Sequence, residues 1–439
     1  MRGARPAPSP VRLLDLTRRE AAGFLREWQR RRMQSTAAAE RAVRPILRAV
    51  REEGDRALLA YARRLDRARL TAATVRVTPR EFAAARRAVP RAAAAALRFA
   101  ARRIEAFHRR GLRASWFFRE PGCTVGVLTR PIGSVGLYVP GGKAAYPSSV
   151  LMMAIPAAVA GVTRVAMATP VGPDGRVPPA VLLAAALAGV TEVYKVGGAQ
   201  AIAALAYGTA SVPKVEKIVG PGNIYVAAAK ALVAGEVGID MVAGPTEIVV
   251  VADGTARPAY VAADLLSQAE HDESASALLL TPSRPLAEAV AGALAARLGS
   301  LPRRAVAAAS LKRWGALCVT ADLAQALEVA NALAPEHLEL CVAEPWTRLE
   351  AVRNAGAIFL GHYAPETLGD YVAGPSHVLP TGGRARFASP LSVEDFQKRS
   401  SVIAVTAAGL RRLGRPAMAL AALEGLQGHG EAVRVRLQA

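Results

Sequence analysis

The stretch "LLSQAEHDESA" (Leu265–Ala275) puts Gln268 and His271 three residues apart. On a helix that spacing brings both side chains to one face, where together they are half of a metal site. The same stretch also describes a polar helix end, the commoner case, with His271 favoured by the helix dipole and with Glu270, Asp272 and Glu273 around it. Glu336 and His337 are adjacent in "APEHLEL", just before a strand-like run. Such a pair fits a surface turn, and it fits a general base beside a water-activating carboxylate. "LGDYVAGPSH" carries Asp370 and His377 in a glycine- and proline-containing loop, and "LEGLQGHGEA" carries Glu424 and His429. Gln268, His271, Asp370 and one more histidine make a nitrogen–oxygen ligand set suited to zinc, manganese or cobalt. Taken one at a time, these segments read as ordinary polar turns. Four of them in one chain point to an enzyme.

The elements that must position these residues change texture along the chain. The first 120 residues read as amphipathic helices behind a short extended lead-in, "SPVRLLDL". From "CTVGVLTRPIGSVGLYVPGG" onward, strand-like runs such as "VGLYVP", "EIVVVAD" and "LELCVA" alternate with helix-like runs. Alternation of this kind predicts parallel sheets covered by helices on both faces. The expected fold is α/β, with two doubly wound, Rossmann-like units. The expected division is a mainly helical region 1–120, a first α/β unit 121–240, a second unit 241–378 and a C-terminal arm 379–439. The glycine-rich turns "VPGGKAAYP", "VGGAQA" and "VGPGNIY" follow strands, at the edge where open sheets bind ligands. No complete G-x-G-x-x-G is present, so a nucleotide site and plain tight turns fit equally.

Composition narrows the class. The net charge of +21 is uneven: residues 1–130 hold 31 arginines, no lysine and 11 acidic residues, which gives +20. The arginines alternate with alanine at helical spacing and lack interleaved aromatics. They read as a solvated helical face rather than a nucleic-acid footprint. Cys123, Cys318 and Cys341 are widely spaced and suggest neither a disulfide framework nor a thiolate metal site. No apolar run is long enough to span a membrane, and the N-terminus lacks a signal-peptide core. A cytoplasmic protein is expected.

Nine segments taken together resemble the histidinol dehydrogenase family. They are "RPIGSVGLYVPGG", "KVGGAQAIAALAYGT", "KIVGPGNIYV", "GIDMVAGPTEIVVVAD", "LLSQAEHD", "APEHLEL", "GDYVAGPSHVLPT", "LSVEDFQKRSSV" and "LEGLQGHGEAV", in the family's order. The resemblance implies a zinc- and NAD-dependent enzyme that takes L-histidinol through L-histidinal to L-histidine. It implies zinc ligands Gln268, His271 and Asp370, with His429 contributed by the partner in a homodimer. It makes Glu336 and His337 the catalytic pair. Those ligands, His337, Thr246 and Glu424 become substrate contacts, and Tyr138, Gln200 and Asn223 become NAD contacts. Thr246 stands in "AGPTE", where the family more often has serine; its hydroxyl can make the same hydrogen bond. Zinc is expected to position the substrate rather than ionise water. The alternatives are a family member acting on another amino or hydroxy alcohol, and a zinc hydrolase using Glu336 as base.

Overall fold

The computed structural model describes residues 10–16, 18–32, 36–141 and 145–438. Fourteen strands run through these residues. In chain order they are β1 (Arg12–Asp15), β2 (Trp116–Glu120), β3 (Cys123–Pro131), β4 (Ser134–Tyr138), β5 (Arg164–Ala168), β6 (Glu192–Tyr194), β7 (Lys217–Val219), β8 (Gly238–Ile239), β9 (Glu247–Ala252), β10 (Ser276–Thr281), β11 (Gly315–Val319), β12 (His337–Cys341), β13 (Ala357–Leu360) and β14 (Gln397–Val405).

The fold is α/β with two parallel sheets. The first has the order β6-β5-β4-β7-β8 and the second β1-β11-β10-β9-β12-β13. "EIVVVA" in β9 and "SALLLT" in β10 are buried at every position. Runs without polar alternation are what a strand covered on both faces requires. In each sheet the order of strand addition reverses once, between β4 and β7 and between β9 and β12. Residues 240–246 join the end of β8 to the start of β9. This link brings the carboxyl edge of the first sheet close to the amino edge of the second.

The N-terminal helices divide between the two sheets. Phe24 and Trp28 on the helix Arg18–Arg32 pack into the second sheet's core, and the lead-in strand β1 pairs in parallel with β11. Val43, Leu47, Leu58 and Ile104, on three later helices, pack into the core of the first sheet. Residues 75–77 also edge the first sheet, through Lys195 N–H to the Val75 carbonyl and Val77 N–H to the Val193 carbonyl at 2.8 Å each. The arginines of the helix Arg91–Arg110 all face solvent, while Ala94, Ala100, Ile104 and His108 face inward.

A third, antiparallel sheet, β14-β3-β2, does not follow from the strand–helix alternation. The chain after residue 378 first returns Leu391, Val393 and Phe396 to the first core. It then pairs β14 along the whole of β3 and ends in the helices Ala407–Leu423 and Gln427–Leu437, which pack on each other. A helix at Arg304–Trp314, between β10 and β11, was also not expected from the sequence. Cys318 and Cys341 are buried and Cys123 is partly buried, all as free thiols. Among the described residues no helix is long and apolar enough to cross a membrane.

Candidate active site

The polar constellation gathers at the amino edge of the second sheet. Thr246 immediately precedes β9, and Glu336 immediately precedes β12. Ala334 ends the helix Leu323–Leu333 in the left-handed region, φ 47°, a conformation uncommon outside glycine. That turn and Pro335 lead the chain directly into Glu336. One carboxylate oxygen of Glu336 accepts from the Thr246 hydroxyl at 2.6 Å and from the Glu247 N–H at 3.0 Å. Burial pushes its carboxyl well above the usual range; these hydrogen bonds oppose the shift, and the charges of Glu247 and Asp370 add to it. His337 Nδ1 lies 3.1 Å from the Glu247 carbonyl. A carbonyl oxygen only accepts, so Nδ1 carries the hydrogen and Nε2 keeps the lone pair. Burial pushes the imidazole down to about 4, against the pull of Asp370.

Gln268 and His271 are brought to the same place, by a different route than one continuous helix. The helix Pro258–Ala269 ends first, and His271 follows in a turn closed by its N–H to the Gln268 carbonyl at 3.2 Å. His271, Glu366 and Asp370 each offer a ligand atom, and these atoms lie within 4.8 Å of one another. Glu366 and Asp370 are four apart on the helix Glu366–Tyr371, which packs Gly369 against the Phe359 ring on β13. Gln268 is completely buried. One end of its amide meets the Thr246 hydroxyl at 2.7 Å, and the other meets the Glu366 carboxylate oxygens at 3.1 and 3.2 Å. With the amide oxygen toward Glu366, acceptors face acceptors. A rotated amide relieves that conflict, and so does a cation among these groups. The donors are nitrogen and oxygen with no thiolate, so the set fits zinc. Sequence reasoning missed Glu366. Its signal was the four-residue spacing to Asp370 in "ETLGD", in a helix too short to show a period.

The proposed cofactor contacts lie at the carboxyl edge of the first sheet. Tyr138 closes β4, and its phenol oxygen accepts from the Gly198 N–H at 3.0 Å. Gln200 is fully buried and donates to Asp66 at 3.1 Å, while its side-chain oxygen has no partner. Asn223 is exposed and caps the helix Ile224–Val233, accepting from the Tyr225 and Val226 N–H groups at 3.1 Å each. Gly220 has φ 121°, and a Cβ there would collide with the Tyr138 carbonyl. The turns after β4 and β7 therefore touch backbone to backbone at the reversal of strand order. Beneath them Lys230 and Asp240 form a buried ion pair that brackets Gly220. Lys230 donates to the Gly220 carbonyl at 2.8 Å, and Asp240 accepts the Gly220 N–H at 2.7 Å. A glycine cradle and an orphaned buried oxygen at this crevice fit a dinucleotide.

The two edges meet through His377. Its ring joins the Asp370 carbonyl at 2.8 Å to the Ser149 hydroxyl at 3.0 Å. Ser149 sits in the first turn of the helix Pro147–Ala160, which follows the β4 turn. Glu424 and His429 are not brought in. Both are exposed on the terminal helical segments, and no described hydrogen bond or ion pair joins them to the cluster.

Comparison with known proteins gives one answer. A family model described as histidinol dehydrogenase matches residues 29–437. The histidinol dehydrogenase of Moorella thermoacetica is 56% identical over 94% of this chain and 97% of its own length. That of Syntrophotalea carbinolica is 55% identical over 91% of this chain and 93% of its own length. The crystal structure of histidinol dehydrogenase from Elizabethkingia anophelis superposes with a TM-score of 0.93 at 34% identity, covering 98% of this chain and 99% of the other. The chain belongs to the histidinol dehydrogenase family of oxidoreductases.

Proposed function

We propose that the chain oxidises L-histidinol through L-histidinal to L-histidine, the last step of histidine biosynthesis, with two NAD consumed per substrate. The observation that carries the reading is the buried Glu336–His337 pair beside the Gln268, His271 and Asp370 set, at a sheet edge that faces a dinucleotide crevice. Gln268, His271 and Asp370 would hold zinc together with His429 of the partner subunit. Tyr138, Gln200 and Asn223 line the turns that would hold NAD. When bound, zinc supplies a Lewis acid that anchors the substrate amine and imidazole, and NAD supplies the hydride acceptor.

The chain's own groups handle the protons. The Glu247 carbonyl fixes His337 as the Nδ1–H tautomer, so Nε2 is the atom that takes the carbinol proton in the first oxidation. The imidazole is neutral before that transfer because burial disfavours its charge. Glu336, held by Thr246 and the Glu247 N–H, takes a proton from the water that adds to the aldehyde. Burial makes its carboxylate a stronger base than a solvated one. His337 returns its first proton to the carbonyl oxygen as the hydrate forms, and then takes the hydroxyl proton of the hydrate in the second oxidation. Thr246 supplies the hydroxyl that orients Glu336, as the family's serine would.

The reading extends to a homodimer. The terminal helices leave Leu420 and Leu423 exposed, and Ile403 on β14 is exposed as well. Large apolar side chains left exposed on the C-terminal arm are consistent with a covering partner. Adding histidinol and NAD and counting product tests the reaction. The expected yield is two NADH per histidinol. A yield of one with free aldehyde accumulating contradicts the role of Glu336, and no NADH at all is what a hydrolase would give.

A further inference from the structure

Asp66 reaches the carboxyl edge of the first sheet from outside it. It caps the C-terminal end of the helix Asp55–Leu65. Its carboxylate accepts from the Gly197 N–H and from the Gln200 amide, the latter at 3.1 Å. Burial pushes its carboxyl up and these two hydrogen bonds oppose the shift. Its charge reaches the Tyr138 phenol, which burial pushes up to about 12. Beside it lies the partnerless side-chain oxygen of Gln200. The next residue, Arg67, is exposed and holds φ 57°, one of only two non-glycine residues in the left-handed region among the described residues. The other is Ala334, at the entrance to Glu336.

The strand order β6-β5-β4-β7-β8 follows the first five strands of a dinucleotide-binding sheet, with the reversal between β4 and β7. In that architecture an acidic residue near the sheet's carboxyl edge accepts the adenosine ribose hydroxyl, whereas a nearby arginine accommodates a 2′-phosphate. The segment after β5 begins Thr169–Pro170, with no carboxylate at the strand end. The next acid along it, Asp174, accepts the Arg176 N–H at 3.2 Å within its own turn. The sheet therefore lacks its own ribose acid, and a carboxylate from the N-terminal helices stands near the place where one is needed. The same carboxylate occupies the N-terminus of the helix Gly198–Tyr207, so a phosphate has no room to settle there.

We propose that Asp66 selects the cofactor, accepting from the free hydroxyls of the adenosine ribose and excluding a dinucleotide that carries a 2′-phosphate. The proposal rests on the reading that the dinucleotide lies in the crevice between the turns after β4 and β7.

The test is calorimetric binding of NAD and of NADP to the full-length zinc-loaded enzyme without histidinol, with steady-state constants measured alongside. A hydrogen bond to a charged group is worth roughly 10- to 100-fold in affinity. Asp66→Asn is expected to weaken NAD binding by about that factor and to narrow the NAD-to-NADP preference. Asp66→Glu, which keeps the charge, is expected to retain the preference. Asn223→Tyr, which intrudes on the mouth of the crevice, is expected to weaken both dinucleotides. If Asn223→Tyr weakens NAD while Asp66→Asn alters neither affinity nor preference, the assignment of Asp66 is wrong and the crevice stands. If Asn223→Tyr has no effect on NAD binding, the crevice reading fails and the proposal with it. A wild-type preference for NADP would give the selecting role to Arg67 and overturn the proposal as well.

Discussion

The two parallel sheets are built alike and used at opposite edges. The first offers its carboxyl edge, where glycine turns meet at the reversal of strand order and a buried ion pair braces Gly220. The second offers its amino edge, where Thr246, Glu336 and His337 enter their strands. At the corresponding carboxyl edge of the second sheet, Asp253 closes on its own surroundings, taking the Thr255 and Ala343 N–H groups at 2.9 Å each. The general rule for open α/β sheets places ligands beyond the carboxyl ends of the strands. Here it locates the proposed cofactor crevice and misses the proposed catalytic groups. The link 240–246 supplies the reason. It leaves the carboxyl end of β8 and enters the amino end of β9, and seven residues span at most about 25 Å. Two sheets joined in series this way must set a carboxyl edge near an amino edge, so the proposed reaction centre lies between unlike edges.

Substitutions can separate these edges, beginning with the largest expected effect. Metal-set variants should be close to inactive, so His271→Ala and His429→Ala homodimers should each lose nearly all turnover and bound zinc. Refolding the two variants together should recover towards about a quarter of wild-type activity, because half the dimers are mixed and each has one intact site. A mixture that stays inactive, with mixed dimers shown to be present, would place His429 in its own chain's site. Next come the two proposed proton carriers. His337→Asn should slow oxidation of histidinol and of histidinal by about 10²- to 10⁴-fold. Glu336→Gln should keep zinc and slow mainly the aldehyde step. Equal damage to both substrates from Glu336→Gln would remove the division of labour.

The other edges should respond differently. Lys230→Met leaves Asp240 buried without its partner, a change that costs about 3–5 kcal/mol in comparable ion pairs. It should lower the thermal midpoint and raise the KM for NAD, with little effect on zinc content; a changed zinc affinity would mean that the edges are not separable. The smallest effect is expected at the unused edge. Thr255→Ala removes a hydroxyl that meets Asp253 and His362. It should cost about 1 kcal/mol or less and leave every kinetic constant in place.

The parts legible in the sequence were those with a local physical signature. β9 to β11 are buried on both faces and read as nearly unbroken apolar runs. Gln268 and His271 announced themselves by spacing, although the helix ends between them. The antiparallel sheet left no such mark. Every residue of β2 is exposed, and β3 finds β14 far along the chain, a pairing that local pattern does not encode. Glu366 starts the six-residue helix Glu366–Tyr371, too short for a period. Asp66 reads as one more charge in an arginine-rich stretch until the fold brings it to Gln200.

The placement of β1 carries a consequence for how the chain assembles. This four-residue strand is made long before its partner β11, which begins at Gly315. The helices from Thr36 to Arg110 can close onto the first sheet once residue 239 has been made. β1 and the helix that follows it must wait, with Phe24 and Trp28 uncovered, until the second sheet exists. Pairings across such long sequence separations form slowly and expose apolar surface in the interval. β1 and its helix are therefore a late-docking clasp, which leaves apolar surface uncovered until it seals the β11 edge.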